Sequence, residues 1–362
     1  MDLGVDVGGT FTDFVGFRGR EVVAAKLPST RDPSIAVLQG MRELGGSAMA
    51  HGTTAATNAV LERNGARTAF VTTAGFEDLL VIGRQNRPSL YDLRVIRPGP
   101  VVPREMCFGF RERVDARGRV LVRPTTREIR RIARAVRASG AESVAVSLLF
   151  SFLRPEHEQL LGKGLHGLSI SLSHEVLAEF REYERSSTTA LDAYIKPLIS
   201  RDLADLERSL GRDFDVMKSS GGTVPHRAAA RRPIDMVLSG PAGGVAGAVA
   251  LARHTGRRNL VTFDMGGTSA DFSAIVRGRS VWTREAVIDT FPIAIPVVDI
   301  ESVGAGGGSI AWLDEERGLR VEDLDAREVA VLGRELRRLD RRLEARLLCD
   351  VQARLEVRRV LG

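Results

Sequence analysis

One eight-residue frame is written twice in this chain. It reads Asp6-Val-Gly-Gly-Thr-Phe-Thr-Asp13 near the start and Asp264-Met-Gly-Gly-Thr-Ser-Ala-Asp271 much later. Each copy follows a short apolar run, Leu3–Val7 and Leu260–Phe263, and leads into an alternating one, Phe14–Phe17 and Phe272–Val276. The frame predicts two β-hairpins whose tips carry glycine and hydroxyl in place of bulky side chains. Glycine lets backbone N–H groups approach an anion closely, and threonine hydroxyls add donors. A carboxylate at a strand end suits a hydrated Mg²⁺ held against phosphate oxygens. A single copy reads equally well as a tight turn. Two copies in the same strand-turn-strand setting predict a pair of hairpins facing each other across a cleft and gripping a nucleotide triphosphate tail from both sides.

Length and composition fit that expectation. The 362 residues suffice for two domains with proper cores, and 43% apolar with only 5% aromatic residues and 37 glycines is the profile of an α/β protein with many tight turns. No apolar stretch approaches the length of a membrane span, so no membrane partner is expected. Met1 runs almost at once into the first hairpin, leaving no room for a cleavable signal, and the chain reads as cytoplasmic. Cys107 and Cys349 lie far apart and suggest neither a disulfide framework nor a zinc ribbon. The net charge of +6 is spread along the chain without an aromatic-interleaved basic stripe, so no nucleic-acid partner is expected.

Periodicity predicts alternating strands and helices. The first part reads as a hairpin, a strand at 21–26, a helix over Pro33–Leu44, a strand at 48–51, a helix from Thr53 to Arg63 and a buried strand at 68–72. A short helix over Phe76–Ile82, a hairpin around the Asp115–Gly118 turn, an amphipathic helix over Glu128–Ser139, a buried strand over Val144–Phe150 and a strand at 168–172 follow. A long helix over Tyr183–Leu210 should break or kink at Lys196-Pro197, the expected junction of two lobes. Beyond it, a strand at 214–218, helices over Ala228–Leu238 and Val245–Arg253, the second hairpin, a third strand over Ser280–Ile288 and a strand at 293–299 are expected. Val329, Leu332, Leu336, Leu339, Leu343 and Leu347 recur at three- and four-residue steps, giving the Arg-rich tail one apolar stripe on a helix.

Further motifs stand in order along the chain. They are His51-Gly-Thr-Thr-Ala-Ala-Thr-Asn58, Gly75-Phe-Glu-Asp78, Gly83-Arg-Gln-Asn-Arg-Pro88, Glu182-Tyr-Glu-Arg-Ser-Ser-Thr-Thr189, Met217-Lys-Ser-Ser-Gly-Gly222, Ser239-Gly-Pro-Ala-Gly-Gly244 and Ser302-Val-Gly-Ala-Gly-Gly-Gly-Ser309. With the two hairpin frames, they make the chain resemble the hydantoinase A / 5-oxoprolinase family from residue 2 to about residue 314. The resemblance implies an α/β fold of two actin-like (ribonuclease H-like) lobes around a nucleotide cleft. The lobes are expected over residues 1–178 and 183–314, the second incomplete, followed by a helical tail over 315–362. It also implies ATP-dependent opening of a five-membered cyclic amide such as a hydantoin or 5-oxoproline, with ATP and Mg²⁺ as cofactors. Phosphorylating the amide oxygen would turn a poor electrophile into one that water can attack.

Residue roles follow from the same resemblance. Gly8, Gly9, Thr10, Thr12, Gly266, Gly267, Thr268 and Ser269 are expected to cradle phosphates, with Gly304, Gly306 and Gly307 as a further nucleotide contact. Asp6 and Asp264 are the expected Mg²⁺-side carboxylates and catalytic groups, while Asp13 and Asp271 brace the turns. His51 is expected at the reaction centre, with Thr53 and Thr54 as substrate or phosphate contacts; a helix cap is an equal reading of Thr53. Arg84, Asn86 and Arg87 sit in a Gly/Pro-bounded loop and are read as substrate-binding. Ser239–Gly244 opens a helix and is divided evenly between close packing and ligand binding.

Two departures qualify the resemblance. The family commonly reads Asp-x-His before the last glycine turn, where this chain has Asp299-Ile-Glu301. Relatives also continue with a glycine-rich segment expected to hold adenosine, whereas Trp312-Leu-Asp314 here runs into charged sequence. An internal deletion, a gene-model error and a true short form all account for this. The alternatives are therefore an ATP-dependent ketone carboxylase subunit and a non-catalytic truncated homologue acting through partner binding. A B-type subunit or a second copy of the chain is the expected partner.

Overall fold

The first sheet grows from a strict alternation. In β1 (Asp2–Val7), Leu3, Val5 and Val7 are buried while Asp2 and Asp6 are exposed, so one face of the strand joins a core and the other stays open. β2 (Phe11–Arg18) pairs antiparallel with β1 and β3 (Glu21–Pro28) antiparallel with β2, as the first hairpin frame leads one to expect. The structure is a computed structural model and describes residues 1–8, 11–19, 21–30, 32–86, 94, 98–265, 270–303, 309–313 and 319–322.

Helix α1 (Pro33–Leu44) is capped by Asp32, whose side chain accepts from the Ser34 N–H at 3.0 Å, and ends at Gly45 in the left-handed region. It docks through Gly40, where a β-carbon would stand 2.3 Å from the Phe14 ring. β4 (Ala48–Thr53) then pairs parallel with β1, and α2 (Ala55–Leu61) follows. β5 (Thr68–Thr73) is buried at every position, and α3 (Leu79–Ile82) is shorter than the expected Phe76–Ile82. Next come β6 (Cys107–Phe110), the β7 (Arg113–Val114) and β8 (Val120–Val122) hairpin, α4 (Thr126–Ala138), β9 (Ser143–Ser147), α5 (Glu156–Gly164), β10 (Ser169–Leu172) and α6 (Ser173–Val176). The strand expected to reach Phe150 stops at Ser147, and Phe150 turns the chain with φ +55°. β10, β9, β5 and β6 form an all-parallel sheet in that order.

Helix α7 (Glu182–Leu210) runs without interruption through Pro197, which corrects the expected break. A proline inside a helix costs about 3 kcal/mol. Beyond it Ile199, Leu203 and Leu206 are buried, and each fully buried side chain of this size contributes roughly 1.5–3 kcal/mol. Packing therefore outweighs the lost hydrogen bond. The same helix places Leu191, Tyr194, Ile195 and Ile199 in the core under the first sheet and Ala190 and Ala193 in the core of the parallel sheet. After it, β11 (Asp215–Met217) pairs parallel with β4, and β12 (Thr223–Pro225) pairs antiparallel with β11. The first sheet thus has the order β12-β11-β4-β1-β2-β3.

The single helix expected over Ala228–Leu238 is instead α8 (His226–Arg231), a 3₁₀ turn at Pro233–Met236 and Leu238 at φ +62°. Pro233 has no N–H to continue α8. α9 (Ser239–Thr255) begins at the Ser239–Gly244 motif read as a helix opening, six residues before the Val245 given by periodicity. Then follow β13 (Leu260–Met265) and β14 (Ala270–Val276), neighbours in one sheet. The strand expected over Ser280–Ile288 is three pieces, β15 (Arg279–Ser280), β16 (Trp282–Thr283) and β17 (Ala286–Ile288). β18 (Phe291–Ile293), β19 (Val297–Val298), β20 (Glu301–Val303), β21 (Ile310–Leu313) and β22 (Leu319–Glu322) complete the described elements.

Contacts divide the chain into two units, Met1–Arg258 with Ile275–Asp299, and Asn259–Ala274 with Ile300–Gly362. They do not separate between 178 and 183, because α7 and β11 belong to the first sheet and its core. In the smaller unit, β14 pairs with β20, and the Phe263 and Phe272 rings lie 4.9 Å apart. The tail stripe from Val329 to Leu347 falls outside the described residues. Among the described residues no helix is long and apolar enough to cross a membrane.

Candidate functional site

The open face of the first sheet is set by register. Asp6 on β1 stands opposite Asp13 on β2 and Gly52 on β4, and Asp13 stands opposite Lys26 on β3. Because side chains alternate across a strand, these residues share the face that the core leaves open. Above them lies a cleft of about 690 Å³, walled on its other side by Met217 of β11 and by Ser239, Gly240, Gly243 and Gly244 of α9. The whole cleft lies within the larger unit.

Gly52 is glycine for a steric reason. A β-carbon there would come within 2.9 Å of Oδ1 of Asp6, so the carboxylate leans over β4 into space that only glycine leaves. Lys26 pairs with Asp13 at 2.6 Å, and both side chains are about half exposed. Such a pair contributes at most about 1 kcal/mol, so it can open to admit an anion.

The start of α9 supplies the opposite charge. Leu238, in the left-handed region, enters the helix without a side-chain cap, and no acidic residue lies in the first turn. Two hydrogen bonds anchor it, Leu238 N–H to Oγ1 of Thr57 at 2.9 Å and the Ser239 hydroxyl to the Thr53 carbonyl at 3.2 Å. The first-turn N–H groups and the positive end of the helix dipole are thereby turned toward a glycine-lined space. An exposed carboxylate and an uncapped helix start in one cleft suit a phosphate chain with a divalent cation bound to it.

Other expected residues are placed elsewhere. His51 occupies the core face of β4, opposite to Gly52, with its edge against Phe214 at 6.0 Å between centroids. Its Nδ1 is buried without a hydrogen-bond partner, and burial lowers its pKa to about 4, so the ring is neutral. The sheet does not bring it to Asp6. Thr12 is likewise buried on the core face, where its hydroxyl meets that of Ser29 at 3.1 Å, and Ser29 in turn donates to the Gly8 carbonyl at 2.7 Å. These bonds brace the hairpin tip. Thr53, one residue before the α2 N-cap Thr54, accepts the Ala55 N–H at 3.1 Å in a local turn, while Thr54 accepts from the Asn58 side chain at 3.4 Å.

Arg84 makes a bidentate pair with Glu184 of α7, both contacts 2.7 Å, and Asn86 is exposed nearby in sequence. Asp264 is exposed on β13 in the smaller unit, where Asp271 accepts from the Ser302 hydroxyl and Glu301 is exposed opposite Phe272. Gly9, Thr10, Arg87, Gly266, Gly267, Thr268, Ser269, Gly304, Gly306 and Gly307 lie outside the described residues. Gly8 is described at the end of β1, its N–H bonded to the Phe11 carbonyl at 3.0 Å.

Lys26 and the α9 glycines are the site residues that motif reading missed or left undecided. Lys26 was within reach of the period-two count, since it shares the face of Asp6 and Asp13 across the hairpin. Nothing in the chain order signals that α9 returns to β4.

Comparison with known proteins gives a consistent picture. Residues 2–167 match the hydantoinase/oxoprolinase N-terminal region, and residues 185–330 match the hydantoinase/oxoprolinase domain. The chain is 34% identical to the acetophenone carboxylase gamma subunit of Aromatoleum aromaticum, over 88% of this chain and 48% of the relative. It is 32% identical to a 5-oxoprolinase of Saccharomyces cerevisiae, over 86% of this chain and 28% of the relative. The crystal structure of an ATP-dependent caprolactamase from Pseudomonas jessenii superposes with a TM-score of 0.80 at 30% identity, covering 89% of this chain and 50% of that one. The chain spans about half the length of the first curated relatives it matches, 48–52%, and less of the 5-oxoprolinase.

Proposed function

Because the chain belongs to the hydantoinase/oxoprolinase family, we propose that it is an ATP-dependent hydrolase, or the ATP-using part of one, that opens a five-membered cyclic amide such as a hydantoin or 5-oxoproline. The observation that carries this reading is the meeting of the Asp6 carboxylate and the uncapped glycine-rich start of α9 in one cleft. The residues fit a metal–phosphate group, since Gly52 leaves the space that Asp6 leans into and Gly244 has open space where a side chain would project. Bound there, Mg²⁺ would withdraw charge from a phosphoryl group in transfer.

In this reading Asp6 holds the cation, directly or through its water, and the first-turn N–H groups of α9 hold phosphate oxygens. Lys26 exchanges Asp13 for the anion. In the same reading the second hairpin frame, with Asp264, is a further phosphate-binding loop. Transfer of the γ-phosphoryl group to the amide oxygen gives ADP and an imidoyl phosphate. Water adds at that carbon, and the C–N bond breaks with the protonated ring nitrogen as leaving group to give an acyl phosphate. A second water releases phosphate and the free carboxylate. Work in the cytoplasm beside a B-type subunit or a second copy belongs to the same proposal.

Calorimetric titration with ATP·Mg²⁺ tests the reading. Heat of binding that is lost without Mg²⁺ supports it, and no heat with ATP, ADP or a non-hydrolysable analogue overturns it. The match to a ketone carboxylase subunit favours a second activity on the same site. Bicarbonate-dependent ATP turnover with a ketone, and none with a cyclic amide, would select it.

A further inference from the structure

Three side chains from three segments converge at the C-terminal end of α7, apart from the cleft lining. Glu207 comes from the last turns of α7, Asp213 from the link to β11, and His226 opens α8. One donor atom of each lies within 4.8 Å of the other two. His226 is buried, with 3% of its side chain exposed, and its ring stacks on Phe214 at 4.6 Å between centroids.

The ring is oriented by the Phe214 backbone. Nδ1 lies 3.3 Å from the Phe214 carbonyl oxygen, the shorter of its two backbone contacts; the Phe214 N–H is 3.5 Å away. A proton on Nδ1 donated to that carbonyl leaves a lone pair on Nε2. Nε2 is buried and has no hydrogen-bond partner, yet it lies 3.3 Å from Oε2 of Glu207 and 3.9 Å from Oδ1 of Asp213. A lone pair facing two carboxylates is repulsive unless a cation lies between them. Histidine metal ligands are commonly held by donating the N–H of the other ring nitrogen to a backbone carbonyl in this way.

We propose that Glu207, Asp213 and His226 bind a divalent transition-metal ion, zinc foremost, with one coordination position open to solvent. Ligands about 2.0–2.1 Å from a tetrahedral zinc stand roughly 3.3 Å apart, which is the separation of His226 Nε2 and Glu207 Oε2. The mixed imidazole and carboxylate set suits zinc better than Mg²⁺ or Ca²⁺, which take oxygen ligands. Arg227 is the competing cation. Its exposed guanidinium lies 2.6 Å from Oε1 of Glu207 and 3.3 Å from Oδ1 of Asp213. It takes the other oxygen of Glu207 and leaves Oε2 to the metal, while Asp213 must release it. Bound metal would pin α7 to the β11–β12 hairpin at the edge of the first sheet.

The test is a titration of the tag-free, metal-stripped full chain with Zn²⁺ and with Co²⁺ in excess Mg²⁺, read by equilibrium dialysis and melting temperature. The expected result is one equivalent bound, a melting temperature that rises with zinc, and visible d–d absorption from cobalt. Glu207→Gln and Asp213→Asn, at side chains that reach solvent, should each weaken binding by at least the roughly 10- to 100-fold seen for loss of an outer-shell partner. Arg227→Ala should bind more tightly than the unaltered chain. No bound zinc in the unaltered chain, or equal binding in Glu207→Gln and Asp213→Asn, overturns the proposal and means that a proton on Nε2 fills the gap. Because the site is apart from the cleft lining, zinc binding is independent of whether ATP binds.

Discussion

At the scale of single residues, Gly52 and Asp6 make the sharpest pair. Gly52→Ala places a methyl group 2.9 Å from the Asp6 carboxylate and must displace it. Asp6→Asn is expected to lower Mg²⁺-dependent ATP turnover on the order of a hundredfold, with a smaller effect on nucleotide affinity. Gly52→Ala should lower turnover in the same direction while the fold is kept. Steady-state phosphate release checks both, and unchanged turnover in both would make Asp6 a hairpin brace. His51 gives a second prediction. Its folded pKa of about 4 lies below the ordinary 6.5, so the unfolded chain takes the proton first. Its contribution to stability is complete above 6.5 and is lost as pH falls toward 4. Between about pH 7 and pH 5 this amounts to about 2 kcal/mol. Urea midpoints of the unaltered chain should therefore fall more steeply over that window than those of His51→Gln, which cannot titrate. The sequence put His51 in a motif but could not say which face of β4 it takes. Strand alternation narrowed the choice, because His51 and Gly52 are neighbours and only one of them can share a face with Asp6, and the register of β4 against β1 decides for Gly52.

At the scale of elements, α7 shows where local signals lose to packing. Lys196-Pro197 reads as a break, yet the helix continues because its far half is buried in the first core. Pro197→Ala restores a donor that a helix interior normally uses and is expected to raise unfolding free energy by about 1–3 kcal/mol. Denaturant unfolding checks this, and a loss of stability would show that the helix axis depends on the proline. The first hairpin, α1 and the parallel strands were legible because each carries its own punctuation: a Gly-Gly frame, the Asp32 cap with Pro33, and the apolar run from Val144, of which the strand keeps the part up to Ser147. The division between α8 and α9 was not. Pro233 and the left-handed Leu238 divide a stretch whose helical composition is continuous, and a leucine gives no local warning of positive φ. The cleft depends on this boundary, since it is the start of α9 at the Ser239–Gly244 motif, and not at Val245, that brings Gly240, Gly243 and Gly244 to line it.

At the scale of the whole molecule, both units leave apolar strand faces uncovered. In the larger unit, Val15 and Phe17 on β2 and Val22 on β3 are all at least half exposed, and register places Phe17 directly opposite Val22. In the smaller unit, Val261, Phe263 and Met265 alternate along one face of β13, which ends its sheet among the described residues. Exposed strands of this kind recruit other chains unless charge or bulk blocks them. Val261, Phe263 and Met265 have no charged residue between them on their face of β13, and on the first sheet the Lys26–Asp13 pair stands at the far end of the face from Phe17 and Val22. The chain on its own is therefore expected to associate, and light scattering over a range of concentrations should show mass rising with concentration. The double variant Val261→Lys, Phe263→Glu, or the cross-strand pair Phe17→Lys, Val22→Glu, should reduce the association if that face is the interface. A chain ending at Asp314 separates this from the tail stripe of Val329–Leu347. Association that survives the shortening but is lost in a strand variant assigns the interface to the sheet. Association lost on shortening alone assigns it to the tail, and a monomer at every concentration shows that the exposed faces are tolerated as they stand.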